Sequence, residues 1–203
     1  GWGGYSGFGT GGGEADARLA RDGAKTCAPR GVGARSVDAI HQRFWTRTRA
    51  ERKRVTEIVI EAVGGNVPVV VGASDPSARN VVDLARHAQA TGADAVMVWP
   101  PFYGPRTADG VRAFYEYVAE RIDIGMIAYS TTLSELGYYL SPEQVEALLA
   151  IENLCAVQNT TADFPSYAAM MERVGDRICV TTSLEETMPF GKMTFADAPT
   201  PAF

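Results

Sequence analysis

The chain has 203 residues, 46% of them hydrophobic and 21% charged, enough apolar material for a packed core and too much for a wholly disordered polymer. A formal charge of −5 and a sequence pI near 5.1 leave no concentrated basic face for a nucleic-acid backbone. No apolar run reaches the ~18 residues of a membrane span and the N-terminus lacks a signal pattern, so a soluble, cytoplasmic protein without nucleic-acid or membrane partners is expected.

Residues 1–50 read as an irregular or degenerate N-terminal part. GWGGYSGFGTGGGEA is glycine-rich and aperiodic, and GAKTCAPRGVGARS reads as breakers with no element between them. The basic cluster from Arg43 to Arg54 is expected to be mostly a solvated face. Regular order begins near residue 51, where ERKRVTEIVIEAVGG sets Val55, Ile58, Val59, Ala62 and Val63 on one helical face, with Gly64 and Gly65 as stop signals.

VPVVVGAS follows as a continuous β-branched run, suited to a strand buried on both faces. Asp75 before Pro76 predicts an N-cap and a helix that lasts to about Thr91, ended by Gly92. The unit then repeats. ADAVMVWPP, IGMIAYST, LCAVQNTT and RICVTTSLE read as strands, and TADGVRAFYEYVAERI, SPEQVEALLAI and DFPSYAAMMERVG as helices, the second opened by a capping box from Ser141 to Gln144.

About five β/α units over residues 51–190 imply right-handed crossovers and a parallel sheet. Both a (β/α)8 barrel of the TIM type and an open doubly wound sheet fit, and both carry functional groups on the loops after the strands. The absence of GxGxxG after the first clear strand argues against a dinucleotide site. Residues 191–203 read as an irregular tail, so the barrel is expected to be incomplete.

In a parallel sheet the residues past the strand ends gather on one face. Here they are Gly72 to Asp75, Pro100 to Tyr103, Tyr129 to Thr132, Gln158 to Thr161 and Thr181 to Ser183, rich in hydroxyls and amides and poor in charge, with Tyr103, Tyr129, Ser130, Gln158, Asn159, Thr160, Thr181 and Ser183 as the site candidates. Tyr129 is the best candidate for an acid/base relay, against the alternative of a rim tyrosine that packs its ring and wets its oxygen. Tyr103 has the same two readings. His41 and His87 fit no catalytic triad or metal set, and neither a metal nor a cofactor is expected. Cys27, Cys155 and Cys179 lack CxxC spacing and read as buried reduced thiols.

From about Glu51 to Glu186, ERKRV, VPVVVGAS, GADAVMVWPPFYGP, IGMIAYS, SPEQVEALLAIENL and LCAVQNTTAD resemble, in order and spacing, the dihydrodipicolinate synthase and N-acetylneuraminate lyase family of class I pyruvate aldolases. The resemblance implies a (β/α)8 barrel, a small 2-oxo acid such as pyruvate, and a dimer or tetramer. It puts Tyr129 on the family's catalytic tyrosine, and Tyr103 on a relay tyrosine that a neighbouring subunit usually contributes. It also puts Gln158 where the family has its Schiff-base lysine. An amide nitrogen is not nucleophilic, so an iminium cannot form there. Lys25, Lys53 and Lys192 are the only lysines, and none falls at a predicted strand end. Where the family has a Gly-Thr-Thr-Gly-Glu type loop, this chain reads HQRFWTRTRA.

Three functions compete on these residues. One is a lyase that acts on a 2-oxo acid or related carboxylate, with Tyr129 as proton donor and Gln158 and Asn159 orienting the substrate. The others are a noncatalytic carboxylate-binding relative and an inactive truncated copy. A frame disturbance upstream of residue 45 is a further hypothesis, motivated by the loss of periodicity there. Resequencing that returned the same codons in frame would remove it.

Overall fold

VVVG and AVMV are apolar at every position, and each becomes a strand buried along its whole length. A computed structural model describes residues 35–37, 44–102, 106–132 and 137–182. In chain order they form β1 (Arg35–Val37), a 3-10 turn (Phe44–Thr46), α1 (Arg49–Val63), β2 (Val69–Gly72), α2 (Ala78–Thr91), β3 (Ala95–Val98), α3 (Ala108–Ala119), β4 (Gly125–Thr131), α4 (Pro142–Leu148), β5 (Leu154–Thr160), α5 (Phe164–Val174) and β6 (Cys179–Thr181).

All six strands are parallel and lie side by side in sequence order. An open doubly wound sheet reverses direction at a switch point, and this order has none. It is the wall of a TIM-type barrel, with six strands among the described residues. Strands β2 to β6 alternate between two apolar clusters. Val69, Val71, Val96, Val98, Met126, Ala128, Val157 and Val180 meet the helices. Val70, Ala95, Met97, Ile127, Tyr129 and Ala156 share the other face, the inner one, with Trp99.

The capping box at Ser141 forms with both of its hydrogen bonds, and a second, at Thr48, opens α1. Gly92 ends α2 in the left-handed region at φ 97°, where a side chain would be strained. The entry to α2 differs from expectation. Its N-cap is Ser77, while Asp75 accepts from the Ser77 backbone N–H and the Asn80 side chain in the turn before it. A carboxylate two residues ahead of the cap organises the turn instead of capping the helix.

Two further differences concern single residues. Cys155 is exposed, not buried, because the pairing of β4 with β5 skips it: Met126 faces Leu154 and Ile127 faces Ala156. A Cβ built on Gly125 would lie 3.2 Å from its sulfur, so the glycine leaves room for the extra residue. Arg52 departs from the solvated basic face and is 3% exposed. Its guanidinium donates to Ser74 O and Gly72 O, both at 2.8 Å, and lies 5.0 Å from the Phe44 ring. Strand β1 falls in the stretch read as aperiodic, since three residues are too few to display a period. No described helix is long and apolar enough to cross a membrane.

Arg52 thus ties α1 to the end of β2. Arg52→Met should lower stability by about 3 kcal/mol, because two buried carbonyls lose charged donors. Urea unfolding of both proteins measures this, and a loss below about 1 kcal/mol would assign Arg52 to the surface.

Candidate functional site

The ladder between β4 and β5 sets Tyr129 opposite Gln158 and Thr131 opposite Thr160, and the next ladder sets Gln158 opposite Thr181. Tyr129 belongs to the inner cluster, and alternation along the strands brings Thr131, Gln158, Thr160 and Thr181 to that same face. Four hydroxyls and one carboxamide therefore meet at the C-terminal end of the sheet, and no carboxylate, imidazole or amine is among them.

Tyr129 is 4% exposed and stacks on Trp99, with ring centroids 4.6 Å apart and planes 4° from parallel. Phe44 and Phe102 meet Trp99 edge-on at 6.3 and 6.4 Å. This aromatic wall excludes water from one side of the phenol. Burial pushes the Tyr129 pKa up, against smaller opposing effects of hydrogen bonds with Thr160 and Thr131. The phenol is a neutral proton donor across the ordinary pH range.

Gln158 is 2% exposed, and its Nε2 donates to Thr160 Oγ1 at 3.4 Å. Its Oε1 has no hydrogen-bond partner among the described residues, and neither has Thr181 Oγ1. Buried polar atoms are rarely left so. The two atoms belong to residues that face each other across the ladder.

Two of the candidate residues lie elsewhere. Ser130 Oγ accepts from Leu140 N at 2.9 Å, and Leu140 belongs to the helix-side core, so Ser130 fixes the chain that leads into α4. Asn159, opposite Ser130 in register and two residues from helix-side Val157, takes the same side by alternation. It is fully buried, and neither side-chain polar atom has a partner among the described residues. Tyr103 and Ser183 lie outside the described residues, as do Lys25, Lys192, His41 and Cys27. Lys53 is at no strand end; its Nζ pairs with Asp83 at 2.8 Å between α1 and α2.

Thr131 lies in the strand-end stretch 129–132 that the sequence assigns to this face; Trp99, which stacks on Tyr129, and Arg52, which holds the end of β2, were not among the sequence candidates. Thr131 and Trp99 sit two residues from Tyr129 and one past β3, where inward alternation points to them. Arg52 falls three residues before Val55 on the apolar stripe of α1. A cleft of about 190 Å³ between α3 and α4, lined by Val111, Arg112, Leu140 and Gln144 among others, is in the helix layer, across the sheet from Tyr129.

A family model, the dihydrodipicolinate synthetase family, matches residues 44–193. Among curated relatives, an uncharacterised DapA-like lyase of Halobacterium salinarum is 35% identical over 150 residues, which cover 74% of this chain and 49% of the relative. The 4-hydroxy-tetrahydrodipicolinate synthase of Pelobacter propionicus is 31% identical over 130 residues, or 64% of this chain and 44% of the relative. The chain thus spans about half the length of the curated relatives it matches. Among solved structures, dihydrodipicolinate synthase from Aquifex aeolicus superposes with a TM-score of 0.85 at 22% identity, covering 97% of this chain and 66% of that one. A prophage protein of the dihydrodipicolinic acid synthase family from E. coli K12, in complex with pyruvate, gives 0.82 at 21% identity, covering 94% and 63%.

The raised Tyr129 pKa has a consequence for stability. The folded chain holds this proton more tightly than the unfolded chain, so the contribution is complete below the ordinary tyrosine value near ~10 and declines as pH rises through and above it. Tyr129→Phe should flatten the alkaline fall in stability above about pH 10, by at most about 1.4 kcal/mol per pH unit. Urea unfolding of both proteins from about pH 9 to about pH 11 measures it, and parallel curves would show that this phenol is not shifted.

Proposed function

The chain belongs to the dihydrodipicolinate synthetase family, and from that premise we propose that it is a lyase-family protein that holds a small 2-oxo acid such as pyruvate, or a related carboxylate, without a Schiff base. The observation that carries the reading is Gln158. In the family resemblance this is the place of the amine that attacks the keto carbon, and a carboxamide has no free electron pair on nitrogen with which to do so.

Without an iminium there is no covalent electron sink, and what remains is hydrogen bonding and proton transfer. Tyr129 carries a proton that burial keeps on its oxygen, and its ring is stacked on Trp99. Thr131, two residues on in the same strand, and Thr160, on β5, hydrogen-bond with the phenol oxygen. Gln158 Oε1 and Thr181 Oγ1 are buried and have no partner among the described residues, and this reading gives them to the ligand. In this mechanism Tyr129 gives its proton to the ligand oxygen as charge develops there, and the amide and hydroxyls orient that oxygen. A homo-oligomer that brings Tyr103 of a neighbouring copy to the site belongs to the same proposal.

The missing nucleophile equally favours a second reading, a carboxylate-binding relative that does not turn its ligand over. The two separate on whether saturable binding is accompanied by any product.

Treatment of the native chain with pyruvate and borohydride, read by intact mass, tests the proposal. The unmodified mass is expected, together with saturable pyruvate binding in a titration, whereas Gln158→Lys should gain a pyruvate-sized increment. An increment on the native chain would mean that another lysine forms the iminium and would end the noncovalent reading.

A further inference from the structure

The free end of Gln158 says more about the ligand, on the premise that a small carboxylate occupies the mouth and that Tyr129 is its proton donor. A buried carboxamide can turn either end toward a neighbour, and the neighbour's protons decide which. If Tyr129 directs its own proton to the ligand, the hydroxyls of Thr131 and Thr160 must both donate to the phenol oxygen. Thr160 has one hydroxyl proton, and with that proton committed it offers Gln158 only a lone pair.

Gln158 therefore turns its NH2 toward Thr160, the contact made at 3.4 Å. Its Oε1 is then the end left over, buried and without a partner among the described residues. Thr181, its register partner, brings a second unpartnered oxygen to the same place. Where the family resemblance implies an amine nucleophile, this chain presents an acceptor.

A keto oxygen has only lone pairs, so against Gln158 Oε1 it leaves two acceptors facing each other with no proton between them. A hydroxyl on the same carbon donates to Oε1 and still accepts from Tyr129. We infer that the site selects a 2-hydroxy acid over the 2-oxo acid with the same carbon skeleton. The carbon that the relatives would attack is, in this chain, held in its tetrahedral C–OH form.

Calorimetric titration of the native chain with L-lactate, D-lactate and pyruvate tests this. One lactate enantiomer should bind about tenfold more tightly than pyruvate, and Gln158→Met, which keeps the length and removes the acceptor, should bring the two within about threefold. Should Gln158→Met fail to fold, Thr160→Val frees the amide to turn and should reduce the preference in the same way. Pyruvate binding within about threefold of the better lactate, or more tightly, overturns the inference and leaves the noncovalent site standing. Binding of none of the three overturns both. A lactate preference that persists unchanged in the Gln158 and Thr160 variants overturns the role given to Gln158.

Discussion

The one-residue register shift between β4 and β5 is the constraint on which the site depends. In a strand the side chains alternate, so a slip of one residue exchanges the two faces of everything beyond it. Leu154 pairs with Met126 on the helix side, and an uninterrupted ladder would carry Gln158 to that side as well. Because the pairing skips Cys155, Ala156 joins Ile127 on the inner face, and Gln158 follows it to stand opposite Tyr129. At Gly125 the absence of a Cβ leaves space that the Cys155 sulfur approaches.

Beyond that shift, the inner face changes character along the strands. Val70, Ala95, Met97, Ile127 and Ala156 are apolar, and the next layer toward the strand ends holds Tyr129, Thr131, Gln158, Thr160 and Thr181. A polar layer set on an apolar floor and walled by Trp99 makes hydrogen bonds matter more than they would in water, and makes unpartnered atoms costly. The buried oxygens of Gln158 and Thr181 are such atoms. Their cost, about 1–3 kcal/mol each, is what a hydrogen-bonding ligand would relieve. A charged lysine would not have needed the same neighbours. The carboxamide suits them because Thr160 can take one of its protons.

Much of this was legible in the sequence, for reasons that can be named. Continuous β-branched runs gave the strands, and the Ser141 capping box and Gly92 gave helix ends, because each signal is local to a few residues. Tyr129, Gln158, Thr160 and Thr181 could be assigned to the strand ends on the same footing. The register shift could not, since nothing in LCAVQNTT distinguishes a skipped cysteine from a paired one. Ser130 and Asn159 were grouped with Tyr129 and Gln158 by their place at the strand ends, although alternation along each strand puts neighbours on opposite faces. Arg52 was hidden by its charge, which reads as solvent-facing until Gly72 O and Ser74 O are seen to receive it. Strand β1 was hidden by its length.

The most direct test is side-chain amide NMR of the isotope-labelled chain during titration with lactate and with pyruvate, with the Gln158 signal identified by its loss in Gln158→Asn. If the carboxamide meets the ligand, that signal should shift in a saturable way that follows the binding isotherm, and the amide protons should exchange more slowly with solvent. Saturable binding that leaves the Gln158 signal unmoved would contradict a hydrogen-bonding role for this residue.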